Sequence, residues 1–177
     1  MVAPLIVVSG PPGSGKTTVG ALLADHWAKS THVLGDHFFR YIVGDWHDPS
    51  STGAEEQNAI VTRISATAAA SYAREGYTTV LDGIYGPWFL EAVQSAASGL
   101  DLHYVVLRCD LDTAIDRACN RSDTPAPERV VRTMHGHFDQ LGQYERFVVD
   151  TTSTTPEQAR DEVIRRIESG DIRLAEA

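Results

Sequence analysis

Apolar runs and helical stripes alternate along this chain from its start. Leu5-Ile6-Val7-Val8 is continuous, apolar and β-branched, as in a strand buried on both faces. Behind it Val19, Leu22, Leu23, His26 and Trp27 recur at helical spacing. His32-Val33-Leu34-Gly35 is a second, short strand that ends at Asp36. Residues 37–43 have room for a helical turn or two, and 44–53, with Pro49 and several Ser and Thr, read as a loop. The spacing predicts a helix over 55–75, with Ile60, Ile64, Ala68 and Tyr72 on one face and Gly76 as its stop. Further strands follow at 78–82, 102–107 and 147–150, and further helices at 87–97 and 112–121. Asp123-Thr124-Pro125-Ala126-Pro127 interrupts the periodicity, and Pro127 suits the first turn of another helix. That helix carries Val130, Met134, His137, Phe138 and Leu141 on one stripe and ends near Gly142. Thr155-Pro156-Glu157-Gln158 has the form of a capping box with Pro at the first helical position. The last helix places Ala159, Val163 and Ile167 on one face and stops at Gly170, leaving 171–177 as an expected frayed tail.

Strands alternating with helices predict an α/β fold, a parallel sheet covered on both faces with right-handed crossovers. No repeat or linker divides the chain, so residues 1–177 read as one domain. In such sheets ligands lie beyond the C-terminal strand ends. Ser9 and Gly10, Asp36, Asp82, Arg108 and Asp150 sit at or just past those ends.

Composition narrows the partners. The net charge is −9 with no basic block, which disfavours a nucleic-acid or membrane-surface partner. Cys109 and Cys119 are too far apart for a C-x-x-C pair and read as reduced thiols. The first strand begins at once, leaving no room for a signal peptide, and no apolar run reaches membrane-spanning length. A cytoplasmic location is expected.

The strongest chemical signal lies between the first strand and the first helix. Gly10-Pro11-Pro12-Gly13-Ser14-Gly15-Lys16-Thr17, followed by Thr18, matches G-x-x-x-x-G-K-[ST] in the strand–loop–helix context that motif requires. Glycines let the backbone curl until several N–H groups face one anion, and the helix N-terminus adds its positive end. Gly10, Gly13, Ser14, Gly15, Lys16, Thr17 and Thr18 are therefore read as nucleotide-binding. Lys16 would reach the β- and γ-phosphates, and the Thr17 hydroxyl would sit on Mg²⁺. A nucleoside triphosphate is the expected ligand.

Other residues at the strand ends suggest the reaction, each with a plainer alternative. Asp36 is placed to take a proton from an acceptor hydroxyl, or to cap the turn at 37–43. Asp82 is placed to support Mg²⁺, or to form a turn before Gly83. Arg117 and Arg121 share a helix face, and Arg121 adjoins the break at 122–127, where a lid would swing. A planar guanidinium suits a spreading phosphoryl charge. A solvated pair bridging to Asp112, Asp116 or Asp123 is the other reading. Phe38, Phe39, Tyr41 and Trp46, then Tyr85, Trp88 and Phe89, follow two strand ends. They could stack on a substrate ring, while Phe39 and Phe89 could equally complete the core. His135-x-His137 and the scattered histidines lack zinc-ligand spacing.

The phosphate loop, Gly35-Asp36, Leu81-Asp82-Gly83, Arg117-x-x-x-Arg121 and Val149-Asp150-Thr151-Thr152 together resemble the small-molecule kinases of the P-loop class. That group includes gluconate and shikimate kinases and chloramphenicol phosphotransferase. The resemblance implies a three-layer sandwich with a five-stranded parallel sheet in the order 2-3-1-4-5. It also implies ATP with Mg²⁺, a lid at about 121–127, an acceptor-side region at about 36–53 and Asp36 as the base. Residues 150–154, Thr152 among them, would border the adenine, and Asp36, Phe39, Arg40 and Tyr85 would meet the acceptor. The triple-glycine segment of shikimate kinases is replaced here by Gly83-Ile84-Tyr85-Gly86. Only Arg40 lies between Asp36 and Gly53 as a cation for a phosphorylated acceptor, so a neutral hydroxyl is expected. The expected activity is transfer of the γ-phosphate of ATP to a small-molecule hydroxyl on a sugar, sugar acid or antibiotic-like compound. A nucleoside or nucleotide kinase and a regulatory P-loop NTPase are the alternatives, the latter disfavoured by the lack of an N-K-x-D guanine signature.

Overall fold

A computed structural model describes residues 2–122 and 125–174. Asp123 and Thr124, in the middle of the expected lid, and residues 175–177 of the expected tail lie outside the described residues. Five strands form one parallel sheet: β1 (Leu5–Ser9), β2 (Ser30–Leu34), β3 (Thr78–Asp82), β4 (Leu102–Arg108) and β5 (Val148–Asp150). Their order is β2-β3-β1-β4-β5, the order the resemblance implies. Every residue of β1 is buried, which is why that strand is apolar throughout rather than alternating. Val8 pairs with Asp82 on one side and Val105 on the other, so the end of β1 lies between the ends of β3 and β4.

The helices are α1 (Lys16–Ala24), α2 (Glu55–Arg74), α3 (Leu90–Ala96), α4 (Leu111–Cys119), α5 (Glu128–His137) and α6 (Pro156–Ser169). α1 packs with α6 and α2 with α3, giving a helical layer on each face of the sheet. The capping box forms as read: the Thr155 hydroxyl accepts from the Gln158 N–H, and the Gln158 side chain accepts from the Thr155 N–H. No helix among the described residues is long and apolar enough to cross a membrane.

Three local expectations are corrected. The stripe Ile60, Ile64 and Tyr72 faces solvent, at 37%, 49% and 48% exposure. The face α2 buries is built from Val61, Ser65, Ala66, Ala69, Ala70 and Ala73. Small side chains let the helix backbone lie close to the sheet, and a hydrophobicity pattern favours the larger residues over the smaller ones that fit. Second, α5 stops at His137 rather than near Gly142. The Leu141 N–H is taken by the Glu145 carboxylate at 3.0 Å, and Gly142 turns the chain at a φ of 57°. Phe138 and Leu141 are still buried, but from the turn beyond the helix. Third, 171–174 is not frayed. Ile172 is fully buried, and backbone bonds from Tyr104 N–H to Ile172 O and from Leu174 N–H to Leu102 O, each 2.9 Å, dock this segment on β4.

The α2 correction gives a direct test by chemical denaturation. Ala69→Leu is expected to destabilise the fold by about 1–3 kcal/mol through overpacking. Ile64→Ser is expected to stay within about 0.5 kcal/mol of wild type, as for an exposed site. The reverse ranking would put the isoleucine stripe in the core.

Candidate active site

The phosphate loop leaves β1 at Ser9 and enters α1 at Lys16. Two of its glycines are required by space as well as by conformation. A Cβ at Gly10 would overlap the Leu107 carbonyl, and one at Gly13 would overlap that of Ala114. Gly15 stands at the helix N-cap with a φ of 92°, in the left-handed region. The loop is pinned from outside by the Thr151 hydroxyl, which donates to Ser14 O at 3.0 Å. On the inside, Ser14 is fully buried and its Oγ has no hydrogen-bond partner among the described residues. A buried hydroxyl without a partner, beside amides at a helix N-terminus, suits an anion such as a phosphate group.

Lys16, Asp36, Asp82 and Arg121 share one electrostatic neighbourhood at the mouth of this loop. The Lys16 ammonium donates to Pro11 O at 3.0 Å. Burial pulls its pKa below the ordinary lysine range, with Asp36 and then Asp82 opposing that shift. Asp36 is reachable from solvent, but protein atoms crowd it, and this desolvation raises its pKa. Lys16 pulls the other way, Asp82 adds to the rise, and His37 and Arg121 oppose it.

Asp36 stands in the first turn of a 3-10 helix, Gly35–Tyr41, whose N-cap position is Leu34 with no side-chain cap bond, so Asp36 is not the cap. Its position depends on Gly35. A Cβ there would overlap the Tyr85 hydroxyl and approach Asp82 O at 2.9 Å. Tyr85 is only 4% exposed, its hydroxyl lies 2.7 Å from that of Ser65, and its N–H donates to Ser9 Oγ at 3.1 Å. The expectation that Tyr85 meets a substrate is therefore corrected: its ring is packed inside, underneath the segment that carries Asp36. Phe39 is half-buried and Arg40 exposed, both on that segment. Neither Phe39 nor Phe89 completes the core, where Phe38 and Leu90 pack instead.

Asp82 ends β3, 3% exposed, with the His32 Nε2 3.5 Å from its Oδ2. Thr17 is exposed on the first turn of α1. Among the described residues no cluster of three or more His, Cys, Asp or Glu is arranged for a metal. One hydroxyl and one carboxylate fit Mg²⁺, which commonly arrives bound to phosphates and keeps much of its water.

A cavity opens beside the loop, lined by Gly15, Thr18, Arg117, Thr151, Thr154 and Pro156 among others. The Arg117 guanidinium donates to Thr151 O at 3.0 Å and Thr152 O at 3.3 Å, which draws the residues after β5 toward α4. The Thr152 hydroxyl is used elsewhere, accepting from the Asp110 N–H at 2.9 Å, so Thr151 and Thr154 line the cavity in its place. The strand-end rule pointed to this region but could not choose among adjacent threonines. Arg117 and Arg121 also part company. Arg117 is tied to the cavity wall, while the charge of Arg121 is felt by Lys16 and Asp36.

Comparison with known proteins bears on the fold. A family model described as an AAA domain matches residues 6–132. A cytidylate kinase of Halobacterium salinarum is 49% identical over 41 residues, which is 23% of this chain and 21% of that enzyme. The chain thus spans about a fifth of that curated relative. Among solved structures, a sugar kinase from Janibacter is 16% identical, with 98% of this chain and 99% of that one covered at a TM-score of 0.71. The APS kinase of Mycobacterium tuberculosis, solved with AMPPNP and APS, is 16% identical, with 94% and 98% covered at a TM-score of 0.72. The fold is that of the P-loop kinases.

The raised pKa of Asp36 has a consequence for stability. A carboxyl whose pKa is higher folded than unfolded binds protons more tightly in the folded state, so its ionisation costs stability above the ordinary carboxylate range. Asp36→Asn is therefore expected to raise the melting temperature of the nucleotide-free protein at pH 7. The advantage should vanish as the pH falls below the ordinary carboxylate range, where Asp36 is protonated in both states. A lower melting temperature at pH 7 would show that ionised Asp36 holds the fold together.

Proposed function

The chain belongs to the AAA domain family, and on that premise we propose that it is an ATP-dependent phosphotransferase acting on a hydroxyl of a small molecule. The observation that carries this reading is a carboxylate, Asp36, with its pKa raised, in the same neighbourhood as the phosphate-loop lysine. A carboxylate poised closer to neutral pH is a better proton acceptor there than an ordinary one.

In the proposed reaction the acceptor hydroxyl gives its proton to Asp36, and its oxygen bonds to the γ-phosphorus of ATP. The bond from that phosphorus to the β–γ bridging oxygen breaks, and ADP leaves. Lys16 and the N-terminal amides of α1 hold the phosphates, and Arg121 meets the charge that spreads over the transferring group. Thr17 and Asp82 would hold Mg²⁺, which neutralises phosphate charge when bound. The base and ribose would lie in the cavity lined by Arg117 and Thr151.

On the acceptor side, Arg40 is the only arginine or lysine between Asp36 and Gly53, and Tyr41, Val43 and Trp46 are 78%, 97% and 51% exposed. Such a surface suits a neutral hydroxyl on a sugar, sugar acid or antibiotic-like compound better than a phosphate ester. A net charge of −9 weighs against a nucleic-acid acceptor. Free Cys109 and Cys119 accord with a cytoplasmic setting, where ATP is at hand. The cytidylate kinase match supports a second reading, a nucleotide kinase.

Screening a library of hydroxyl compounds together with nucleoside monophosphates for ADP release, with product mass, tests both readings. Phosphorylated CMP would favour the second. Hydrolysis indifferent to any acceptor would favour a regulatory NTPase.

Kinetics of variants give a finer test. Lys16→Ala should abolish transfer with the circular dichroism spectrum intact. Asp36→Asn should lower kcat by roughly 10²–10⁴, the range for a positioned base. Arg121→Ala should depress kcat far more than it raises the KM for ATP, and Arg121→Lys should restore only part of the loss. Arg117→Ala should chiefly raise the KM for ATP, because its guanidinium supports the cavity wall. A larger kcat loss for Arg117 than for Arg121 would exchange their roles.

A further inference from the structure

One polar side chain beside the site, His32, has no part in the reaction described above. Parallel pairing sets His32 of β2 opposite Val80 of β3, and Asp82 lies two residues further along, on the same face of the sheet. α1 covers this face and would ordinarily leave no room for an imidazole. Gly20 makes the room: a Cβ there would lie 2.8 Å from His32 Nε2. The ring fills that slot, its side chain 17% exposed, and points Nε2 at Asp82 Oδ2, 3.5 Å away, on a side chain 5% exposed. Both atoms are buried, and neither makes a hydrogen bond to any described residue, the other of the pair included.

We propose that His32 is a positioning residue, with its Nε2–H directed at Asp82 Oδ2 so that the carboxylate is held in one orientation toward the metal of the bound nucleotide. The inference rests on the kinase reading, which gives Asp82 its metal role. A buried carboxylate oxygen without a donor is costly, and the imidazole nitrogen is the polar atom facing it. The tautomer that serves has its proton on Nε2. At 3.5 Å the pair stands at the outer edge of hydrogen-bond range, so a small shift of the Asp82 side chain on loading would close it. Gly20, His32 and Asp82 thus form one unit spanning α1, β2 and β3. Partners that orient a ligating group, rather than ligating themselves, are an ordinary requirement of metal sites, and removing one typically costs 10–100-fold in metal affinity or activity.

The alternative is that the ring merely fills the space beside Gly20, and three variants of the full chain separate the two. His32→Phe keeps a planar ring but cannot donate. His32→Gln can place an amide N–H close to the position of Nε2. Gly20→Ala leaves both polar residues in place and pushes the imidazole away from Asp82. ATP affinity without metal is measured by calorimetry, and Mn²⁺ binding to the protein–ATP complex by electron paramagnetic resonance.

His32→Phe and Gly20→Ala should each raise the half-saturating Mn²⁺ concentration by about tenfold, with metal-free ATP affinity within about twofold of wild type. His32→Gln should recover most of the loss. If His32→Phe fails to fold, the Gly20→Ala and His32→Gln arms still decide. Unchanged Mn²⁺ binding in His32→Phe or in Gly20→Ala overturns the inference, as do equal losses in His32→Phe and His32→Gln. A wild-type protein that binds no Mn²⁺ with ATP present overturns the kinase reading and this inference with it.

Discussion

The phosphate loop lies so close to β4 and α4 that no side chain fits at Gly10 or Gly13. That contact organises the site. Pressed against the Leu107 and Ala114 carbonyls, the loop has one path from β1 into α1, and Gly15 completes the turn at the helix N-cap. The same closeness lets Thr151, beyond β5, reach Ser14 O, so the loop is held from the β4–β5 side of the sheet. A loop shaped this firmly can aim its amides at an anion without reorganising when the anion arrives.

Around that rigid element the structure keeps charges in places that do not favour folding. Lys16 and Asp36 are both desolvated, in the direction that disfavours their charged forms, and each only partly relieves the other. Perturbed groups of this kind cluster where chemistry is done. An acidic chain that binds an anionic nucleotide has to rely on local donors against its overall field. Lys16, the amides at the start of α1 and the arginines of and just beyond α4 are such donors.

Much of this was legible in the chain itself. The continuous apolar run of β1, the alternation of strands and helices, and the glycine loop between Ser9 and Thr17 are set by short-range rules. Strand burial, turn conformation and helix capping depend on neighbouring residues, and so they show in sequence. The family resemblance then supplied the strand order. Positions such as Asp36, Asp82 and Arg121 could be nominated because parallel α/β sheets bring ligands to the C-terminal ends of their strands.

What the sequence could not settle was which of two adequate faces or residues the packing would use. Ile64 and Ala69 both sit in helical stripes of α2, and only the distance from that helix to the sheet made the alanine side the buried one. Tyr85 has the chemistry of a substrate contact, yet the space left by Gly35 and the hydroxyl of Ser65 draw it into the interior. Among the neighbouring threonines after β5, Thr152 turns to the Asp110 N–H and Thr151 to the loop. His32 looked like one scattered histidine until parallel register set it diagonal to Asp82 and Gly20 cleared a slot for its ring. The sequence by itself determined the strands, the order in which they meet their helices, and the phosphate loop, because these follow from local backbone and side-chain preferences. Only the tertiary structure decided which side chains face one another, because that depends on distances between segments far apart in the chain.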